Sequence, residues 1–192
     1  MPKRLTEFLD PRTLNPTMAD IAKAVKKPLE KLSVPTNKQW KWASVFYALV
    51  EGEGSRFGSY RALGCWVEAV VQMLRSCNDW QKLAELIDAT EAELEIYPYR
   101  DEHKQLLGQV LVQQKVRYLK LKEQAAGSIR AWNWARGWAP VLQACPNEKS
   151  LNIALQLYKS QKQQFAAYAE AIAWVVQVGR QQRQYLRHRK TA

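Results

Sequence analysis

The sequence predicts an all-α protein, a helical bundle with a long C-terminal helix, and three observations support this fold class. Apolar residues recur at helical spacing along most of the chain. Alternation of apolar and polar residues never persists, and no Asn-Gly or Asp-Gly dipeptide marks a tight hairpin. Hydrophobic residues make up 47% of the 192 positions, so the chain can bury a sizeable core.

The first predicted helix begins after Thr17. Asp20 follows Thr17 by three residues, which is the arrangement of a capping box. Pro28 should interrupt this helix or start a new one. A second, central helix is predicted over residues 38–50, because apolar side chains there cover most of the helix circumference.

Residues 51–64 contain four glycines and are predicted to form a loop between helices. A phosphate-binding loop is the weaker interpretation, because the pattern predicts no strand before these residues and they contain no Gly-Lys-Ser/Thr motif. Three helices are predicted next, with Asn78 or Asp79 and Thr90 as caps. They cover residues 62–76, 79–89 and 91–96.

The C-terminal half is predicted to consist of long helices. Residues 101–124 form one helix with two apolar faces, as expected for a helix that lies between neighbours in a bundle. Residues 128–142 are predicted to be helical up to Pro140. From Leu151 to Val176, apolar residues follow alternating steps of four and three. A continuous helix to about residue 188 would be roughly 55–60 Å long.

Charge divides the chain into regions of opposite sign. We expect residues 1–35 to form a basic N-terminal arm with a short helix, and residues 36–192 to form the helical bundle. Within the bundle, residues 49–102 form an acidic middle of formal charge −6, and residues 103–192 form a basic half of +12, in a chain of +11. The basic half should attract polyanions through counterion release, and the acidic middle can face basic partner surfaces. A charged surface that only confers solubility is the alternative.

The sequence lacks the residue motifs on which several classes of function depend. The three cysteines, Cys65, Cys77 and Cys145, include no Cys-x-x-Cys pair, which argues against a disulfide framework and a cysteine zinc site. The two histidines lie in no catalytic or metal-binding motif. We therefore expect no enzyme activity, no cofactor and no bound metal. No apolar run reaches the length of a membrane span and no secretory signal is visible, so we expect a cytoplasmic protein without membrane contacts.

The segment 130–138 concentrates tryptophan and arginine, which serve both as stacking platforms for bases and as core residues. On a helix, Trp134 and Trp138 share one face and are predicted to be core residues, whereas Trp132 and Arg136 share the opposite face. Only the face with Trp132 and Arg136 is predicted to contact a base or sugar. The candidate contacts from this segment are Arg130, Trp132 and Arg136.

Two further groups of cations complete the predicted nucleic-acid site. Lys104, Lys115 and Lys122 project within about 20° of one another on the long helix, with solvated lysines between two buried faces as the alternative. Five cations close the last helix, where compensation of the helix dipole is the alternative. They are Arg180, Arg183, Arg187, Arg189 and Lys190.

Two resemblances follow from these residues. Residues 17–32, TMADIAKAVKKPLEKL, resemble the first half of a repressor-type helix-turn-helix, but Lys26, Lys27 and Pro28 stand where the turn glycine and a clean recognition helix should be. The basic, helical and catalytically silent chain resembles, in kind and size, the small subunit of CRISPR interference complexes of the Cascade type. That resemblance implies a nucleic-acid backbone held by Lys and Arg, and protein subunits as partners.

The leading hypothesis is a non-catalytic, nucleic-acid-binding helical subunit of a multi-subunit nucleoprotein complex. Its partners would be an RNA or DNA backbone and other protein subunits. One alternative is a free-standing DNA-binding regulator that uses residues 17–34. The other is a structural adaptor or phage assembly protein without a nucleic-acid role.

Overall fold

The computed structural model describes residues 3–34, 41 and 45–191. The chain divides into two compact units, which we call unit 1 (Met1–Leu121) and unit 2 (Lys122–Ala192). The boundary lies within the longest helix. The described residues form mainly α-helix, as the sequence predicts, together with one small antiparallel sheet of order β1-β2-β3.

The helices and strands follow one another in an order that places the sheet between the first and second helices. They are α1 (Met18–Val25), β1 (Leu32–Ser33), β2 (Val45–Val50), β3 (Gly54–Ser59), α2 (Gly64–Ser76), α3 (Trp80–Ile96), α4 (Asp101–Gln143), α5 (Glu148–Gln161) and α6 (Ala169–Thr191).

Helix α1 begins at the predicted capping box. The Thr17 hydroxyl accepts a hydrogen bond from the Asp20 backbone N–H at 3.1 Å, and the Asp20 carboxylate accepts one from the Thr17 N–H at 3.2 Å. The helix ends where Lys26 takes a left-handed conformation, with φ of 57°. Pro28 then starts a single 3₁₀ turn, as its fixed φ allows.

The predicted helix over residues 38–50 is wrong for residues 45–50, which form β2. Residues 38–40 and 42–44 lie outside the described residues. Val45, Phe46 and Tyr47 are β-branched or aromatic, and burial alternates along the first four residues of the strand. An all-apolar run fits a buried strand as well as a buried helix, so the pairing with β3 decides between them.

The glycine-rich segment 51–64 is correspondingly the turn and second strand of a hairpin, followed by a 3₁₀ turn and the start of α2, rather than a loop between helices. Gly52, in the tight turn, and Gly54, the first residue of β3, have φ values of 75° and 78°, which suit glycine. Gly58 faces Phe46 across the strands, and a Cβ at Gly58 would lie 2.4 Å from the ring of that fully buried phenylalanine.

The predicted break near residue 90 is absent, because α3 runs through it. Thr90 is buried and donates its hydroxyl proton to the Leu86 carbonyl at 2.6 Å, so it bonds within the helix instead of capping a new one. Helix α4 likewise extends beyond residue 124. Pro140 lies so close to its C-terminus that only one more hydrogen-bonded turn follows, to Ala144.

The predicted single helix from Leu151 to about residue 188 is wrong, because the chain reverses in its middle. A 3₁₀ turn over Lys162–Phe165 follows α5, and α6 begins at Ala169. Phe165 turns inward and stacks on Trp134, with ring centroids 4.7 Å apart. This packing, which the spacing of apolar residues does not encode, makes α5 and α6 an antiparallel pair.

Each unit has its own hydrophobic core. The N-terminal residues contribute to the core of unit 1, since Leu5 and Ile21 are buried beside Phe46 and Trp66. The core of unit 2 joins the second half of α4 to α5 and α6. Its fully buried members include Ala131, Ala135, Leu142, Leu151 and Val175.

Candidate nucleic-acid interface

Most of the excess positive charge belongs to unit 2. The sequence gives this unit eleven Lys and Arg against three Asp and Glu, a formal charge of +8. Unit 1 has eighteen against fifteen, a formal charge of +3. Unit 2 is therefore the part of the chain to which a polyanion would be drawn.

A cleft between α5 and α6 gathers four of these cations. Lys159 and Lys162 form one wall, and Arg180 and Arg183 form the other. The cleft has a volume of about 420 Å³, and no Asp or Glu is among its described lining residues. Among the described residues, none of these four cations is in an ion pair. Their charge is therefore available to an anion in the cleft.

Contacts between the two helices fix the course of the cleft, which we call the basic cleft. Arg183 donates a hydrogen bond to the Asn152 side-chain oxygen at 2.9 Å, which orients its guanidinium beside α5. Farther along, Tyr158 donates its hydroxyl proton to the Ile172 carbonyl at 3.1 Å. The less exposed residues of the lining form the floor of the cleft, which is mainly apolar. They are Leu155, Tyr158, Val176 and Gly179.

A buried glycine brings the helices together in this floor. A Cβ at Gly179 would lie 3.1 Å from the Leu155 methyl carbon Cδ2, so even alanine there would require Leu155 to shift by a few tenths of an ångström. Because the two helices approach closely at Gly179, the long side chains of the four cations form the walls on either side of the floor. The cleft is consequently a groove along the helix pair rather than a closed cavity.

The other predicted cations of α6 are not among the described residues that line the cleft. Arg187 is 3.5 Å from the Glu148 carboxylate, an exposed pair that holds the side chain only weakly. Arg189 is exposed. The side chain of Lys190 lies outside the described part of the chain.

The tryptophans of α4 pack against the core of unit 2 but are only half-buried. Trp134 stacks on Tyr158 as well as on Phe165, and its ring N–H donates to Gln161 at 3.2 Å. Trp138 meets Tyr158 edge-on, with centroids 5.9 Å apart. These contacts agree with the predicted role in the core, although neither ring is fully interior.

Trp132, the candidate platform for a base, also packs inward. Its ring lies 6.1 Å from that of Trp174, and it remains half-buried. Arg130 and Arg136 are both exposed. None of the three is among the described residues that line the basic cleft.

The three predicted lysines of α4 are all exposed. Lys115 pairs with Glu91 of α3 at 2.5 Å, so part of its charge is balanced inside unit 1. Lys104 also lies in unit 1, and Lys122 is the first residue of unit 2. The basic cleft contains none of them.

Two of the four cleft cations are not predicted by the sequence. In one continuous helix, Lys159 and Arg180 would lie about 30 Å apart along the axis, and only the reversal of the chain brings their helices side by side. Lys162 falls where the heptad pattern loses its phase. That interruption is the one sequence signal that could have indicated the turn.

Unit 1 contains a buried polar network. Arg61 makes two hydrogen bonds of 2.6 and 2.7 Å to the Glu93 carboxylate, and its guanidinium lies 3.6 Å from the Tyr97 ring centroid. Tyr99 donates to the same carboxylate at 3.2 Å and accepts from the Trp66 ring N–H at 3.1 Å. The network satisfies its own members, so we assign it a structural role.

Metal and membrane features are absent from the described residues. No group of three or more His, Cys, Asp or Glu is placed to hold a metal ion in that part of the chain. Nor is any helix within those residues both long and apolar enough to cross a lipid bilayer.

Comparison of the chain with protein-family models, with curated proteins and with solved structures finds no match.

Proposed function

We propose that this protein is a non-catalytic, nucleic-acid-binding subunit of a multi-subunit nucleoprotein complex, and that it holds a phosphate backbone in the basic cleft of unit 2. The cleft itself is the observation that supports this function. Four cations face one another across an apolar floor, and no acidic side chain is among the described lining residues.

Surface charge that serves only solubility would not account for this arrangement. Solvated cations gain nothing by approaching one another, because like charges repel. Two pairs of cations on opposing walls are, in contrast, what an extended polyanion can neutralise. The cleft offers flexible ammonium groups on one wall and planar guanidinium groups on the other, both of which bind phosphate oxygens.

The membership of a complex rests on the sequence. The resemblance to the small subunits of CRISPR interference complexes supports it, as does the acidic middle region, which suits a basic partner protein. Within the same proposal we place the protein in the cytoplasm. The regulator alternative has less support, because the described residues after α1 contain one 3₁₀ turn and β1 where a recognition helix would be needed.

Fluorescence anisotropy with labelled oligonucleotides of mixed sequence tests the proposal. The test variant is Lys159→Glu with Arg180→Glu, which reverses one cation on each wall. We expect its affinity to fall by at least about tenfold for every sequence alike. The slope of log affinity against log salt should also flatten, by about 0.7 to 0.9 for each phosphate that the variant no longer neutralises.

The matched control is Lys120→Glu with Lys149→Glu, which changes the net charge equally at two exposed lysines outside the cleft lining. Its affinity should stay near that of the parent protein. Equal losses of affinity in both variants would show that net charge and not the cleft drives binding. Absence of binding by the parent protein at moderate salt would favour the structural adaptor.

A further inference from the structure

We infer that the basic cleft accepts a single strand of nucleic acid and excludes the double helix. This inference rests on the proposed function and specifies its ligand. Three features of the cleft carry it, namely its width, the distribution of its cations over two walls and the chemistry of its floor.

The width of the cleft is limited by the spacing of the two helices that form it. Packed helices have axes about 8–10 Å apart, and the close approach of Gly179 to Leu155 shows that α5 and α6 are packed together in the floor. A double helix is broader than this spacing, because its major groove alone is about 12 Å wide. It could touch the rim of the cleft but could not enter it, whereas one backbone can lie between the walls.

The positions of the cations lead to the same ligand. Lys159 and Lys162 are one turn apart on their wall, and Arg180 and Arg183 are one turn apart on theirs. A strand that lies along the cleft meets both pairs. A duplex that took α6 into its major groove would meet the arginines, but the lysines belong to α5 and to the turn that follows it. Single-strand binding therefore uses all four charges, and duplex binding uses about half.

The floor explains how one strand could bind without base preference. Leu155 and Val176 are half-buried and apolar, which suits the sugar and base faces that a single strand exposes and a duplex conceals. Asn152 and Gln156 are the uncharged polar residues of the lining. The floor presents no exposed aromatic face, because Tyr158 is only 3% exposed.

The first test compares one labelled oligonucleotide as a single strand and annealed to its complement, at equal salt. We expect the parent protein to bind the single strand about tenfold more tightly, because the duplex forms about two fewer pairings of cation with phosphate. The preference should shrink in the Lys159→Glu, Arg180→Glu variant. Equal or tighter binding of the duplex would overturn the inference while leaving the proposed function intact.

The second test places one negative charge inside the cleft with almost no change of shape. Gln156→Glu should weaken single-strand binding severalfold, because the new carboxylate joins the four cations in the cleft lining and repels phosphate there. Gln124→Glu, at an exposed position of α4 outside the lining, is the control and should bind like the parent. Unchanged binding by Gln156→Glu would show that the strand does not enter the cleft.

The two tests also separate the proposed function from the choice of strand. If neither form of the oligonucleotide binds, the proposed function fails. If both forms bind and both are weakened equally by Lys159→Glu with Arg180→Glu, the cleft binds phosphate without excluding the duplex, and only the present inference fails.

Discussion

His103 combines burial with an incomplete set of hydrogen bonds. Its side chain is largely buried at the start of α4, and among the described residues Nδ1 has no hydrogen-bond partner. Burial lowers the pKa of His103, and the positive charge of Arg100 lowers it further. A backbone hydrogen bond with Arg61 and the charge of Glu102 oppose this shift of the pKa without cancelling it.

This histidine should make stability depend on pH. The unfolded chain has the ordinary histidine pKa of about 6.5, so it takes up the proton at a higher pH than the folded chain does. The free energy of unfolding should therefore fall as the pH drops from about 7 through the lowered pKa of the folded state. We expect urea denaturation to show a smaller loss of stability over this range for His103→Gln than for the parent.

The remaining groups provide the internal control for that comparison. The other histidine, His188, is present in both proteins, and carboxylates with ordinary pKa values titrate mostly below this range. Identical losses of stability in the parent and the variant would mean that another group is responsible.

Two glycines of α4 have opposite surroundings. A Cβ at Gly127 would lie 1.7 Å from the Tyr168 hydroxyl oxygen and 2.6 Å from its ring carbon Cζ. At Gly137 no atom outside the local helix lies within 4 Å of such a Cβ. Tyr168 is the residue that immediately precedes α6, so Gly127 lets the turn between α5 and α6 close onto α4.

Replacement of each glycine by alanine should change the melting temperature in opposite directions. Helix propensity alone favours alanine over glycine by about 1 kcal/mol. Gly137→Ala should therefore raise the melting temperature, whereas Gly127→Ala should lower it because Tyr168 is displaced from its position against α4. Thermal unfolding followed by circular dichroism measures both. A higher melting temperature for Gly127→Ala would show that Tyr168 can move aside at no cost in stability.

At the scale of the elements, the sequence predicts correctly the helices whose ends are determined by interactions between residues close in sequence. The capping box at Thr17 and Asp20 involves only neighbours in sequence, and α1 begins there. The pairing of β2 with β3 and the reversal after Lys162 depend on contacts distant in sequence, such as Phe165 with Trp134. Period and propensity contain no information about those partners.

The same distinction explains which parts of the site can be predicted. Arg180 and Arg183 belong to a dense basic segment that the sequence displays directly. Lys159 and Lys162 become part of the site only when α5 and α6 fold against each other. For Trp132, a helical projection predicts which face of the helix the ring lies on, but not what packs against that face. In the structure, Trp174 packs against the Trp132 ring.

At the scale of the whole molecule, the distribution of charge separates the competing functions. A helix-turn-helix regulator would bind DNA through the basic residues between positions 17 and 34, which belong to unit 1. A backbone-binding subunit would use unit 2, where positive charge exceeds negative charge by eight. At physiological ionic strength the screening length is about 8 Å, so only charges close to the bound strand contribute appreciably to affinity.

Charge reversal in unit 1 therefore discriminates between these two functions. Lys23→Glu with Lys31→Glu alters two exposed lysines of the 17–34 segment and changes the net charge as much as Lys159→Glu with Arg180→Glu does. We expect the unit 1 variant to keep the affinity and salt slope of the parent, because it leaves every cation of the basic cleft in place. The cleft variant should show a weaker affinity and a flatter slope, for random and defined sequences alike. Anisotropy titrations at several salt concentrations measure these quantities, and a sequence-dependent decrease confined to the unit 1 variant would instead identify a DNA-binding regulator.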